Sequence, residues 1–226
     1  MTINLKSFIQ LKKSLVIVIA LHLLTVILLG SIILFSLHTS IPLEKFTRDP
    51  TATMGVNPFV GIVSNIGVLL WCVSASICLF TFFSIIKRKN NQLNEDTLFL
   101  LFFGLTTSIL LFDDLFLIHE LIGPKILNIP EKQIYVYYGM IVLFGIVRFK
   151  KVILQNEWVI LSLSFSFFAL SVAIDIFGSL PYIPSSIFIE DSLKLLGIVS
   201  WVCYFVLASF KIEKNTVNSK SINHLL

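Results

Sequence analysis

Residues 67–90, GVLLWCVSASICLFTFFSIIKRKN, run for twenty positions without a charge and then close on Lys87, Arg88 and Lys89. A helix of roughly 20 apolar residues crosses a bilayer, and Lys and Arg gathered just beyond its end mark the cytoplasmic side. The stretch therefore reads as a transmembrane helix leaving the membrane on the inside. It is the centre of an apolar run from about 58 to 86, and five more such runs lie at about 14–37, 98–121, 134–149, 158–179 and 186–210. The expected fold is all-α: a polytopic membrane bundle of six transmembrane helices, occupying 1–210 as one domain, with a short cytoplasmic tail over 211–226 that frays after Lys211.

Composition supports that frame. Of 226 residues, 56% are hydrophobic and 13% charged, about half the charge of an ordinary soluble domain. A soluble enzyme, a disordered tail, a nucleic-acid reader and a disulfide scaffold are all excluded. Cys72, Cys78 and Cys203 fall inside predicted spans and read as packing residues rather than as a disulfide or a reactive thiol. The first run is too long for a signal-peptide core and lacks a small-x-small cleavage site, so it reads as a retained helix. His22, deep within it, reads as a neutral imidazole bonded between helices. The 134–149 run is the shortest, and its Tyr135, Tyr137 and Tyr138 suit an interfacial aromatic belt.

Basic residues sort onto alternate loops. Lys6, Lys12, Lys13, Lys87, Arg88, Lys89, Arg148, Lys150, Lys151, Lys211, Lys214 and Lys220 share one side, whereas Lys45, Arg48, Lys125 and Lys132 lie opposite and Lys194 sits in the last run. By the positive-inside rule both termini are cytoplasmic, in a cytoplasmic (inner) membrane. The segment 87–97 reads as a solvated cytoplasmic loop. The long loop 38–57, on the other side, reads either as a lid over the helix ends or as a connector.

Acids show the converse bias. Glu95, Asp96, Glu157 and Glu213 fall with the twelve basic residues, and the remaining nine acids fall on the other side or within the spans. Burying a charge in a membrane costs several kcal/mol, so such residues mark function or find partners. In the third run, Phe112-Asp113-Asp114-Leu115-Phe116-Leu117-Ile118-His119-Glu120 places Asp113 and Glu120 on one stripe of a continuous helix, with Asp114 and His119 flanking it. His119 is expected at the rim of the cluster. Asp175 ends the fifth run, with Ser171 one turn below. Glu190 and Asp191 open the sixth, where Lys194 at i+4 and i+3 can form an intrahelical ion pair. Ser64 and Asn65, near the start of the second, can reach a neighbouring helix.

Carboxylates and one His are ligands suited to Zn, Mn, Mg or Ca. The expected metal set is Asp113, His119, Glu120 and Asp175, with Asp113 and Glu120 as the catalytic pair and Asp114, Glu190, Asp191, Lys194, Ser64 and Asn65 in support. A metal-activated water would then hydrolyse a lipid or a similar substrate. The alternatives are a proton- or cation-coupled transporter and a non-catalytic assembly or scaffold subunit. The bilayer is the expected surrounding, and protein partners are not indicated.

Overall fold

The computed structural model describes residues 5–47, 50–57, 59–88, 93–177 and 186–223, so Pro58 and residues 178–179 of the expected spans, and Asp49, lie outside the described part. All regular structure in it is helical: α1 (Leu5–Thr39), α2 (Glu44–Thr47), α3 (Pro50–Met54), α4 (Ile62–Arg88), α5 (Glu95–Phe116), a π turn (Ile118–Ile122), α6 (Gly123–Ile126), α7 (Glu131–Arg148), α8 (Lys150–Gln155), α9 (Trp158–Phe177) and α10 (Ser186–Asn223).

Five of these are long and apolar enough to cross a membrane: α1 from His22, α4, α5, α9 through Asp175, and α10 from Ile187 to Val217. That is the make-up of a multi-pass membrane protein. The helix answering to the fourth expected run, α7, has 18 residues, about 27 Å, and carries Glu131, Lys132 and Arg148 at its ends. Two other expectations change. Residues 95–97 belong to a helix rather than to a loop, because Asn94 and Thr97 cap it reciprocally, each side chain accepting the other's backbone N–H at 2.9 Å. Past Lys211 the chain does not fray but stays helical to Asn223, where Ile212 and Thr216 are buried.

The chain divides into two compact units, Met1–Val60 and Gly61–Leu226. In the first, α1 exposes its apolar side chains, Leu24, Val26 and Leu34 among them, as a lipid-facing helix does. The 38–57 loop is partly helical through α2 and α3, and Phe46 packs edge-on against Phe35 of α1 at 5.9 Å.

The second unit is a bundle in which α10 packs on α4 and α9, and α4 packs on α5. Its centre is aromatic: Phe103 and Trp201 each lie against Phe205, at 5.1 and 4.9 Å between centroids, and Phe99 stacks on Phe205 at 5.8 Å. Ring pairs of this kind add about 0.5–1.5 kcal/mol each beyond burial. Small residues set the helix spacing. A Cβ on Gly197 would stand 2.6 Å from the Phe168 ring, so α9 and α10 approach through that glycine. Ser164 and Ser171 of α9 donate to the Gly197 and Glu190 carbonyls of α10 at 2.8 and 3.1 Å. At one end of the bundle, Arg148 grips Glu95 with two hydrogen bonds of 2.7 and 2.9 Å. Asp113 and Asp114 of α5, Glu131 of α7, Asp175 of α9 and Glu190 and Asp191 of α10 collect at the other.

Candidate functional site in an acidic cavity

The third apolar run does not continue as one helix to residue 121. α5 ends at Phe116, and Leu117 takes a left-handed conformation with φ 52° and ψ 46°, costly for a residue with a bulky Cβ by about 1–2 kcal/mol. The chain then turns once as a π helix over Ile118–Ile122. Strained backbone and π turns both recur at functional sites.

The break resets the register on which the expected stripe depended. On an unbroken helix, Asp113 and His119 would point about 120° apart with a rise near 9 Å between them. In the folded chain the backbone N–H of His119 donates to Asp113 Oδ1 at 2.9 Å, and His119 Nδ1 bonds Asp113 Oδ2. Tyr138 of α7 adds its hydroxyl to Asp113 Oδ1 at 2.9 Å. Asp113 and His119 are each only 4% exposed, so the pair lies within the protein. A carboxylate held to Nδ1 fixes the ring and turns Nε2 to the other side. There Nε2 stands 3.5 Å from Glu120 Oε1, longer than a normal hydrogen bond. The Glu120 side chain is half exposed.

Asp114 has its own partners. Lys194 Nζ donates to Oδ1 and Trp71 Nε1 to Oδ2, both at 2.8 Å. The ion pair expected along α10 is thus replaced by one between helices. The geometry explains the preference: the Asp114 side chain is mostly buried, at 11% exposure, and its charge gains more from a cation than do the wetter Asp191 or Glu190.

These groups edge a cavity of about 530 Å³ whose lining includes Asp113, Asp114, His119, Glu120, Glu131, Asp175, Glu190, Asp191 and Lys194. Seven carboxylates therefore face one lysine and one histidine. Of the expected supporting residues, Ser64 lines a smaller adjoining pocket of about 30 Å³ with Asp114, Asp191 and Lys194, and Asn65 lines neither. Sequence reasoning missed Trp71, Glu131, Tyr135 and Tyr138. The two tyrosines, assigned to a membrane belt, instead line the cavity: Tyr135 sits against the His119 ring at 5.1 Å and donates to Glu131 at 3.0 Å, while Tyr137 is exposed. Their i, i+3 spacing behind Glu131 was the available signal. Nothing in the sequence ties Trp71 to Asp114.

Asp113, Asp114 and His119 can each bring one ligand atom within 4.8 Å of the others. That trio is close enough for a metal, yet the oxygens of Asp113 and Asp114 already accept from His119, Tyr138, Lys194 and Trp71. Nε2 of His119 and the carboxylates of Glu120, Asp175 and Glu190 have more capacity to spare.

Residues 15–208 match the model of a family described as "Domain of unknown function (DUF8692)". No curated protein and no solved structure matches the chain.

Proposed function

The chain belongs to the DUF8692 family, and from that premise we propose that it is a membrane-embedded hydrolase dependent on a divalent metal and acting on a lipid or a similar apolar substrate. The observation that carries this reading is the buried His119 ring, anchored through Nδ1 to Asp113 and edging the acidic cavity. An imidazole with a carboxylate behind it is the usual form of a metal-ligating histidine. His119 Nε2 would be one ligand, and Glu120 and Asp175 would share the roles of further ligand and base. Asp113 then serves as the residue that orients His119 rather than as a ligand, and Asp114 is neutralised by Lys194. One nitrogen with several carboxylates suits Zn or Mn better than the all-oxygen preferences of Mg and Ca. The metal would lower the pKa of a bound water, and Glu120 or Asp175 would accept its proton.

The membrane frame of the proposal is six spans, with α7 as the shortest, both termini cytoplasmic, residues 1–210 forming the membrane domain and 211–226 the cytoplasmic tail. The acidic cavity then faces the extracytoplasmic side. A proton- or cation-coupled transporter is the second reading, favoured by the run Tyr138, Asp113, His119, Glu120, four titratable groups each within 3.5 Å of the next. A scaffold subunit requires neither metal nor relay.

Elemental analysis of detergent-purified protein separates them. Stoichiometric metal in the wild type, lost in His119→Gln and in Glu120→Gln/Asp175→Asn, is the expected result. Absence of metal from wild type reconstituted with Zn or Mn, or its full retention in both variants, overturns the hydrolase reading.

A further inference from the structure

The cavity is acidic at one end and apolar at the other, along three helices at once. On α9 it runs from Asp175 to Phe165, on α10 from Glu190 to Trp201, and on α7 from Glu131 to Val142. Ten or eleven helical residues separate each pair, about 15 Å. At the apolar end, Trp71 stacks on Phe168 at 5.9 Å, and Trp201 meets Trp71, Phe165 and Phe168 edge-on at 5.7, 5.9 and 6.4 Å. These rings form an aromatic wall in which the Trp71 and Trp201 indole N–H groups are already taken, by Asp114 and by Thr107. Gly139 of α7 lines the same space, and a Cβ built on it meets nothing within 4 Å. At the acidic end the lysine of the lining, Lys194, is already held by Asp114. Asp175, Glu190 and Asp191 form no ion pair with lysine or arginine among the described residues.

We propose that the cavity takes a long-chain ammonium amphiphile, its alkyl chain along the Trp71, Phe165, Phe168 and Trp201 wall and its cationic head at Glu190 and Asp191 of α10. This rests on the cavity being the functional site and names the substrate class for it. The charge decides the head: a phosphate would enter a lining whose seven carboxylates far outnumber its one lysine and one histidine, whereas an ammonium gains charge-assisted hydrogen bonds and the faces of nearby rings. The apolar wall decides the tail, since a small hydrophilic cation would leave those rings facing empty or wet space.

Trp71 and Trp201 report on the cavity directly, and the third tryptophan, the exposed Trp158, can be removed as Trp158→Phe. In that background, in maltoside micelles with a chelator present, ω-brominated dodecylamine is titrated against the matching dodecyl phosphate and dodecanol, with tryptophan quenching as the readout. The amine is expected to quench saturably at a concentration at least about ten-fold below the other two, the scale of one or two charged hydrogen bonds. Glu190→Gln/Asp191→Asn is expected to abolish that preference. Gly139→Leu, which leaves every carboxylate in place, is expected to weaken amine binding about ten-fold or more while leaving metal content unchanged. Equal quenching by all three chains, or preference for the phosphate, overturns the proposal, as does unaltered amine binding in Gly139→Leu. The chelator keeps the two readings apart: metal absent with amine bound defeats only the hydrolase, and metal present with no preference for the amine defeats only this one.

Discussion

Asp113 accepts from three donors at once, the His119 backbone, the His119 ring and the Tyr138 hydroxyl. An asparagine there has one acceptor oxygen and turns an amide N–H toward the imidazole. Asp113→Asn is therefore expected to cost about 1–3 kcal/mol, read by thermal unfolding in detergent, and to lower metal affinity about 10–100-fold. Tyr138→Phe removes one of the three donors and should cost about 1 kcal/mol. Lys194→Met strands the Asp114 carboxylate with Trp71 as its remaining donor; a loss of about 3 kcal/mol is expected, at the low end for a broken buried pair because Lys194 is one-third exposed. Lys194→Met/Asp114→Leu should recover most of it, since the charge and its partner leave together. A double variant no more stable than Lys194→Met would show that the pair itself, not the stranded charge, sets the loss. That acids and one histidine gather here was readable from their positions. Which carboxylate meets which donor was not, since Asp114 and Lys194 are 80 residues apart.

At the scale of elements, the break after α5 creates the site. Leu117 holds a positive φ that glycine adopts freely, so Leu117→Gly should preserve the His119–Asp113 contact with stability unchanged or raised by up to about 1 kcal/mol, whereas Leu117→Val should lose about 1–2 kcal/mol. Urea or thermal melts in detergent decide between them; equal losses would mean that Leu117 is held by side-chain packing instead. The two glycines of α7 make a matched pair. Gly145 faces Phe102 and Phe103, whose atoms would lie 2.4 and 2.9 Å from an added Cβ, and Gly139 faces open cavity. Gly145→Ala is expected to cost about 1–3 kcal/mol through overpacking, and Gly139→Ala to gain about 0.5–1 kcal/mol in helix propensity. The break itself left little trace in the sequence, because FDDLFLIHELI contains no Gly or Pro at residues 112–122, and apolar periodicity alone carries the helix on to Glu120.

For the whole molecule, the distribution of Lys and Arg makes a topological claim. Maleimide added from outside the cell should label an engineered cysteine at Thr51 and spare one at Asn91 or Asn218, with Cys72, Cys78 and Cys203 replaced beforehand; labelling at Asn91 contradicts the orientation. The long apolar runs by themselves determined that the chain is a multi-helix membrane protein and roughly where its helices lie, because the cost of unpaired backbone polar groups in lipid leaves helices as the local solution, and that cost acts within each segment. They also determined that the polar groups crowd toward one end, since charge is counted position by position. The tertiary structure alone decided that Asp113 holds His119, that Lys194 crosses to Asp114 instead of pairing along α10, and that an aromatic wall continues the acidic mouth into one cavity. Those contacts join helices far apart in the chain and pass through one left-handed leucine, and their energies depend on neighbours that no local pattern names.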